Sequence, residues 1–160
     1  MRAIDRQAMI LVAATLVADQ LSKEWLLRHL LKVGAIVPVV EDYFRLVIVW
    51  NRGVSFGLMG GDRALPPWLL SAVAVAVCIG LLLWLRRTDR AFTGWGIGLV
   101  MGGAIGNVID RARWGAVFDF ADFHVHQWHW PAFNVADSAI VVGVGLMLID
   151  SLIGERQRAP

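Results

Sequence analysis

Apolar residues are concentrated in four long runs, and most polar residues lie between them. A helix needs about 20 apolar residues to cross the hydrocarbon of a membrane, and about 17 are enough. Runs of that length lie at 8–30, 68–85, 92–109 and 135–153. The pattern therefore predicts four transmembrane helices, joined by one tight turn and by two longer outer loops, 31–67 and 110–134.

Composition supports an all-α membrane protein. The 160 residues are 58% hydrophobic with a mean hydropathy of +0.61, and 18% are charged, compared with about 25% in a soluble domain. We expect a single integral membrane domain, 1–160. A net charge of +2 is too small to favour a nucleic-acid partner through counterion release. Cys78 is the single cysteine, so no intrachain disulfide can form.

Positive charges indicate the orientation of the spans. Seven arginines lie in the two short tails and the tight turn, namely Arg2, Arg6, Arg86, Arg87, Arg90, Arg156 and Arg158. Seven further lysines and arginines are spread over the much longer loops. Dense positive charge in short loops favours the cytoplasmic side, so we expect both termini in the cytoplasm. The first run continues through Asp19 and Lys23 without a small-residue cleavage site, which favours a retained span over a signal peptide.

The first outer loop contains a strand-like segment. Residues 43–50 are β-branched and aromatic, which favours a strand over a helix, and Asn51-Arg52-Gly53 supplies a turn. Two interpretations are open. The segment belongs either to a small sheet on the membrane surface, where an extended peptide could dock, or to a solvated loop with one hairpin.

Small residues recur at helical spacing in the last two spans. Gly98, Gly102 and Gly106 are four residues apart in the third span, and Ala139 and Gly143 repeat that interval in the fourth. Small residues at this spacing let helix backbones approach closely in lipid. The pattern predicts tight packing of the third span against the fourth.

A set of polar residues lies on the predicted outer side of this apolar chain. Its members are Asp19, Gln20, Asn51, Asn107, Asp110, Arg111, Asp119, Asn134 and Asp137. Ionisable residues at membrane depth are costly, so they indicate function. Asp110 and Arg111 follow Asn107 by three and four residues, so the three would lie along one helix face. Asn134 is placed to cap the fourth span, with Asp137 near its third position, and capping alone would explain that pair.

Asp119 has no capping role. It lies between Phe118 and Phe120, and an aromatic setting should disfavour its charge and raise its pKa. If Asp119 lies close to Asp137, the two carboxyl groups should share one proton. One carboxylate would then accept a proton from water while the other, protonated, donates one to the substrate. Which of the two is the base stays unassigned.

Two alternatives use other residues or another class of function. His124, His126 and His129 could form a metal site for metal-assisted hydrolysis, although tryptophans interleaved with them are typical of an aromatic belt at the membrane boundary. Intramembrane aspartates also serve as relays in proton-coupled carriers. The chain shows no inverted repeat or broken helix pair of the kind that carriers use.

Five ordered segments carry a more specific pattern: Asp19-Gln20, 51–57 (Asn-Arg-Gly-Val-Ser-Phe-Gly), 102–111 (Gly-Gly-Ala-Ile-Gly-Asn-Val-Ile-Asp-Arg), 117–120 (Val-Phe-Asp-Phe) and 133–140 (Phe-Asn-Val-Ala-Asp-Ser-Ala-Ile). Together they closely resemble the motifs of the lipoprotein signal peptidase (signal peptidase II) family. The resemblance covers nearly the whole chain, including its length and its four-span plan. It also implies a small β-rich cradle on the extracytoplasmic side, which the strand-like segment 43–50 matches. The stretch 124–130, rich in histidine and tryptophan, is not part of the family pattern.

The resemblance implies an aspartyl protease of the bacterial inner membrane. Such an enzyme removes the signal peptide from prolipoproteins on the N-terminal side of a diacylglyceryl-modified cysteine. It makes Asp119 and Asp137 the catalytic dyad. The supporting residues that it implies are Asp19, Asn51, Gly53, Asn107, Asp110, Arg111, Asn134 and Ala136. It implies no cofactor and no metal; the expected partners are diacylglyceryl-modified prolipoproteins and membrane lipid, and no oligomeric partner is required.

Overall fold

The computed structural model describes residues 1–53 and 65–156. Within them the chain forms helices and strands in the order α1 (Ala3–Val33), β1 (Ile36–Val40), β2 (Phe44–Asn51), α2 (Pro67–Leu85), α3 (Ala91–Trp114), β3 (Val117–Val125), β4 (Trp128–His129) and α4 (Val135–Arg156). The protein is therefore mostly helical with a small antiparallel sheet. This agrees with the expected helical membrane protein with a small β-rich cradle.

Among the described residues, three helices are long and apolar enough to cross a membrane, namely α2, α3 and α4. They contain the predicted spans 68–85, 92–109 and 135–153. Helix α1 contains the run 8–30 and is the longest of the helices, but it is not in this group. Charged residues recur along it, including Asp19, Lys23 and Glu24.

The predicted outer loop 110–134 begins within α3 and contains the strands β3 and β4. Helix α3 continues to Trp114, where the left-handed backbone of Gly115 (φ 71°) ends it and the Gly115 N–H donates to the carbonyl of Arg111. Glycine is the usual residue at this position because it adopts positive φ without strain. The apolar run stops at 109, but basic residues are favourable in the last turn of a helix, so the helix extends beyond the apolar pattern.

The strands form one antiparallel sheet in the order β1-β2-β3-β4. Strand β2 matches the strand-like segment 43–50, so the interpretation as a small sheet is confirmed over a solvated loop. The sheet packs on one end of α1, where Leu26 and Leu30 contact Phe118 and Phe120 in a buried cluster. Residues 54–57 of the second motif lie outside the described residues.

Helix α3 packs against each of the other three helices, and its glycines allow the close contacts. A Cβ on Gly96 would lie 2.5 Å from the carbonyl oxygen of Gly143, so α3 and α4 meet backbone to backbone as predicted. The Gly98, Gly102 and Gly106 series faces α1 instead. A Cβ on Gly98 would lie 2.6 Å from the carbonyl oxygen of Ala8. The four-residue spacing thus predicted close packing correctly but named the wrong partner for these three glycines.

Candidate active site

Polar side chains from four elements meet where the sheet lies over the helix ends. Asn51 is the last residue of β2, and Asp119 follows on the neighbouring strand β3, where it pairs with Val49. Asn107 projects from α3, while Asn134 and Asp137 lie at the start of α4. The sheet register and the helix packing therefore bring together residues that are up to 86 positions apart along the chain, which no local pattern could have done.

Asp119 is buried and bound by two amides. Asp119 is 1% exposed. Asn134 Nδ2 donates to its Oδ1 at 2.7 Å, and Asn51 Nδ2 donates to its Oδ2 at 3.1 Å. Burial, and then the negative charge of Asp137, raise the pKa of Asp119 to about 6; the two amide hydrogen bonds oppose that rise. The raised pKa expected from the aromatic setting is confirmed, and the carboxyl group can exchange a proton near neutral pH.

Asp137 is held by a cap at the start of α4. Its backbone N–H donates to Asn134 Oδ1 at 2.9 Å, and the Asn134 N–H donates back to Asp137 Oδ2 at 3.2 Å. This reciprocal arrangement is a capping box, so the predicted cap is confirmed. Asn107 Nδ2 donates to the other carboxylate oxygen at 2.9 Å. Because Asn134 contacts both Asp119 and Asp137, capping the helix and holding the pair are one function rather than alternatives.

Gly53 orients Asn51 without contacting the carboxylates. The Gly53 N–H donates to Asn51 Oδ1 at 2.9 Å, and its φ of 98° lies in the region that glycine adopts most readily. Because the amide oxygen of Asn51 is engaged by this turn, its NH₂ group faces Asp119. The turn predicted at 51–53 is present.

Beneath the pair, a buried lysine that the sequence analysis did not select joins α1 to α3. Lys23 has no exposed surface, and its Nζ lies 2.9 Å from Asp19 Oδ2 and 2.8 Å from Asp110 Oδ2. Gln20 Nε2 donates to both carboxylates, at 3.1 and 3.0 Å. A lysine four residues after an aspartate inside a predicted span was the signal in the sequence, since neither charge is tolerated in lipid without a partner.

Lys23 also fixes the orientation of Asn107. Its ammonium donates to Asn107 Oδ1 at 3.1 Å, and an ammonium group has no lone pair with which to accept. The oxygen of the Asn107 amide must therefore face Lys23, and the NH₂ group must face Asp137. The Asn107 amide therefore links the buried Lys23 ammonium to the Asp137 carboxylate.

Asp19, Ala136 and Gly106 meet where α1, α3 and α4 come together. The Ala136 N–H donates to Asp19 Oδ1 at 3.0 Å, and a Cβ on Gly106 would lie 2.5 Å from Asp19 Oδ2. The Asp110 carboxylate accepts from the Phe118 N–H at 3.2 Å, which ties α3 to β3. These residues position the helices and strand that carry the pair and do not themselves contact its carboxylates.

Arg111 lies close enough to Asp137, Asp110 and Asp119 for their charges to act on its guanidinium. Its guanidinium donates at 3.4 Å to the backbone carbonyl of Asn107 and lines a cleft beside Trp68. The three histidines that were considered as a metal site do not all lie together. His126 lies exposed in the β3–β4 turn, whereas His124 and His129 lie together with Asp122.

An open cleft of about 580 Å³ leads from the pair along α4. Asn51 and Asp137 line its polar end, and Phe133, Val141 and Val142 are among its apolar lining residues. Val141 and Val142 are exposed on the helix surface. An extended apolar ligand could therefore reach the carboxylates from the side of the helix bundle.

Three of the described helices are apolar and long enough to cross a membrane. Beside an open cleft, one buried and one half-buried carboxylate both bind Asn134. These features define a membrane protein with an acid/base site. The chain matches the family described as Signal peptidase (SPase) II over residues 11–153. It is 46% identical to the lipoprotein signal peptidase of Methylorubrum extorquens (strain PA1), with 92% of this chain and 86% of that protein covered. It is also 46% identical to the enzyme of the same name from Syntrophotalea carbinolica, with 88% of each covered. The chain belongs to the signal peptidase II family.

A solved structure has the same fold. A bacterial membrane enzyme determined by the in meso method at 1.9 Å resolution superposes with a TM-score of 0.74 at 26% identity, over 91% of this chain and 92% of that one. The resemblance inferred from the five motifs is therefore confirmed at the level of family and fold.

Proposed function

We propose that the chain is a membrane aspartic endopeptidase that removes the signal peptide from prolipoproteins, with Asp119 and Asp137 as its catalytic dyad. Family membership supports the activity and the substrate class. The observation that carries the assignment of residues is the shared contact of Asn134, which donates from its side chain to Asp119 and from its backbone to Asp137. Two carboxyl groups held in this way, one with a raised pKa, can hold one proton between them.

The dyad would act by activating water. The ionised carboxylate takes a proton from water, whose oxygen adds to the scissile carbonyl carbon, while the protonated carboxyl donates its proton to the carbonyl oxygen. The tetrahedral intermediate then collapses, the C–N bond breaks, and a proton passes to the nitrogen of the modified cysteine as it leaves. The products are a free signal-peptide carboxylate and a lipoprotein with a new amino terminus.

The sheet limits where the substrate backbone can lie. Strand β2 pairs with β3 at 44–46 and again at 49–51, with a register shift between the two stretches, and it pairs with β1 up to Val47. Among the described residues, its edge is therefore open at Val49–Asn51, next to Asp119. We propose that the peptide pairs there, with the diacylglyceryl chains remaining in lipid and the apolar signal segment following the cleft along α4.

The supporting residues fall into two groups. Asn51, Asn107 and Asn134 hold the carboxylates directly. The others, Asp19, Gly53, Asp110 and Ala136, position those amides or the elements that carry them. Arg111 belongs to neither group: it lines the separate cleft beside Trp68, and we propose that it contacts substrate there. A metal-dependent hydrolase built on His124, His126 and His129 is not favoured, because His126 is exposed in the β3–β4 turn and does not join the other two.

We further propose a single four-span domain, 1–160, in the bacterial inner membrane with both termini cytoplasmic. Arg2 pairs with Asp89 and Arg90 with Asp150, so the start of α1, the α2–α3 turn and the late part of α4 lie at one end of the bundle. The dyad lies at the other end. This supports the expected topology, in which the basic turn 86–90 is inside and water reaches the dyad from outside. A reporter inserted in that turn should be active only in the cytoplasm, and extracytoplasmic activity would refute the arrangement.

The activity assay uses purified full-length protein and a diacylglyceryl prolipoprotein. Asp119→Asn and Asp137→Asn should each abolish cleavage, because neither variant can hold the shared proton. Asp150→Asn is the matched control. Asp150 is also a buried carboxylate on α4, but it binds Thr93 and Arg90 at the opposite end of the bundle, so folded Asp150→Asn protein should retain activity. Full activity in either dyad variant would refute the assignment.

A further inference from the structure

The β3–β4 hairpin carries a second group of ionisable side chains, away from the dyad. The hairpin register places His124 directly opposite His129, and Asp122 is two residues before His124, so strand alternation puts both on one face. One ligand atom from each of the three residues lies within 4.8 Å of the others. The two imidazole rings are 5.1 Å apart between centroids.

His124 has a polar atom without a partner. In the part of the chain that the structure describes, its Nδ1 is buried and makes no hydrogen bond. A buried polar atom without a partner is costly, and a bound ion is among the partners that can satisfy such an atom. Imidazole nitrogen is a common ligand for transition metals.

Asp122 supplies a negative charge next to these rings. Its carboxylate is buried and forms ion pairs with Arg45 and His129. Arg45 Nε donates to Oδ2 at 2.6 Å, while Oδ1 faces His129 Nδ1 at 3.1 Å. Ligand atoms of a tetrahedral zinc ion with bonds of about 2.0–2.2 Å lie about 3.4 Å apart. The carboxylate oxygen and ring nitrogen are already close to that separation.

We propose that Asp122, His124 and His129 bind a zinc ion at the β3–β4 hairpin. Two imidazoles and one carboxylate are a ligand set that zinc accepts, with water completing a tetrahedron. The metal replaces the proton between Asp122 and His129 and engages the free Nδ1 of His124. Arg45 Nε remains on the second carboxylate oxygen and holds the ligand. Arg45 Nη2 lies 3.4 Å from His129 Nδ1, so it moves off that nitrogen when zinc binds, and its charge limits the affinity by repulsion.

The site is separate from peptide cleavage. Asp119 binds Asn51 and Asn134, whereas Asp122 binds Arg45 and His129, so the two carboxylates share no hydrogen-bond partner. Bound zinc would join β3 to β4 across the hairpin. Trp130, whose N–H donates to the Phe123 carbonyl at 2.8 Å, continues the chain from this hairpin to the start of α4. The metal would thus fasten the segment that leads to Asn134.

The test uses full-length protein purified without a histidine tag, stripped with a chelator and titrated with zinc. We expect one zinc per chain, and a rise in Tm on binding. Cobalt in place of zinc should give the visible absorption bands of a tetrahedral site. Cleavage is not the readout, so this test is independent of the dyad.

The hairpin offers a matched control. His126 lies in the same turn but is exposed and outside the group. His124→Ala and His129→Ala should each weaken zinc binding at least tenfold and abolish the cobalt bands, whereas His126→Ala should bind as the unchanged protein does. Binding that is absent from the unchanged protein, or equal in the His124→Ala and His126→Ala variants, would overturn the proposal.

Discussion

Replacing Asp119 by asparagine should make the protein more stable at alkaline pH while abolishing its activity. The carboxyl group has a pKa of about 6 in the folded protein, raised from 3.8. A group whose folded pKa is raised contributes stability that is complete below its unfolded pKa and is lost as the pH rises through the folded pKa. The unchanged protein should therefore lose stability between about pH 4 and pH 6, because its buried carboxyl group must ionise.

The size of this effect follows from the shift. A rise of about two pKa units, at about 1.4 kcal/mol per unit, corresponds to about 3 kcal/mol. Asparagine cannot ionise, but it accepts hydrogen bonds through one oxygen where the carboxylate accepts through two, which costs about 1 kcal/mol. We expect Asp119→Asn to gain about 2 kcal/mol at pH 8 and to lose about 1 kcal/mol at pH 4.

Thermal unfolding in detergent, followed by tryptophan fluorescence from pH 4 to pH 8, measures the difference. Asp122→Asn is a control on the same strand with the opposite sign. The pKa of Asp122 is lowered, so its contribution is present above the unfolded pKa and is lost as the pH falls; its asparagine variant should be less stable at pH 8. An Asp119→Asn variant that is less stable than the unchanged protein at pH 8, or a difference that does not vary with pH, would refute the reasoning.

Two further predictions concern the residues beneath the dyad. Lys23→Met should lower the free energy of unfolding by about 3–5 kcal/mol, because it leaves two buried carboxylates without their cation. Arg28→Ala, which removes an exposed pair with Glu24, should lower it by less than about 1 kcal/mol. Equal losses in Tm would contradict the buried network. Gly106→Ala should reduce cleavage sharply, since its Cβ would lie 2.5 Å from the carboxylate of Asp19, while Gly145→Ala, with nothing within 4 Å, should leave cleavage unchanged. Comparable activity in the two alanine variants would show that α1 and α3 can separate without disturbing the site.

The sequence predicted the helices because apolar runs of membrane length have few alternatives. It placed the end of α3 five residues early, because hydrophobicity ends at 109 while the helix is continued by backbone hydrogen bonds as far as the Gly115 cap. Strand β3 was missed for a related reason. Its residues 117–122 are all buried, so no alternation of apolar and polar positions indicated a strand.

Within the site, local geometry was predictable and long-range geometry was not. The Asn134–Asp137 cap follows from a three-residue spacing, and the raised pKa of Asp119 from its aromatic neighbours. The link from Lys23 to Asn107 depends on how α1 packs against α3, which the glycine pattern indicated only as close packing. The catalytic roles of Asp119 and Asp137 stay predictions until the variants are assayed.

The amide of Asn107, shared between Lys23 and Asp137, has a consequence for drug resistance. An inhibitor that occupies the carboxylate pair would compete for the same amide hydrogens that hold the pair. A bacterium could weaken such an inhibitor by changing an asparagine, but at Asn107 that change would also leave a buried ammonium short of an acceptor. Resistance by this route would lower the stability of the enzyme. Resistance should therefore arise less readily against compounds that bind Asn107 than against compounds that bind the exposed valines of the cleft.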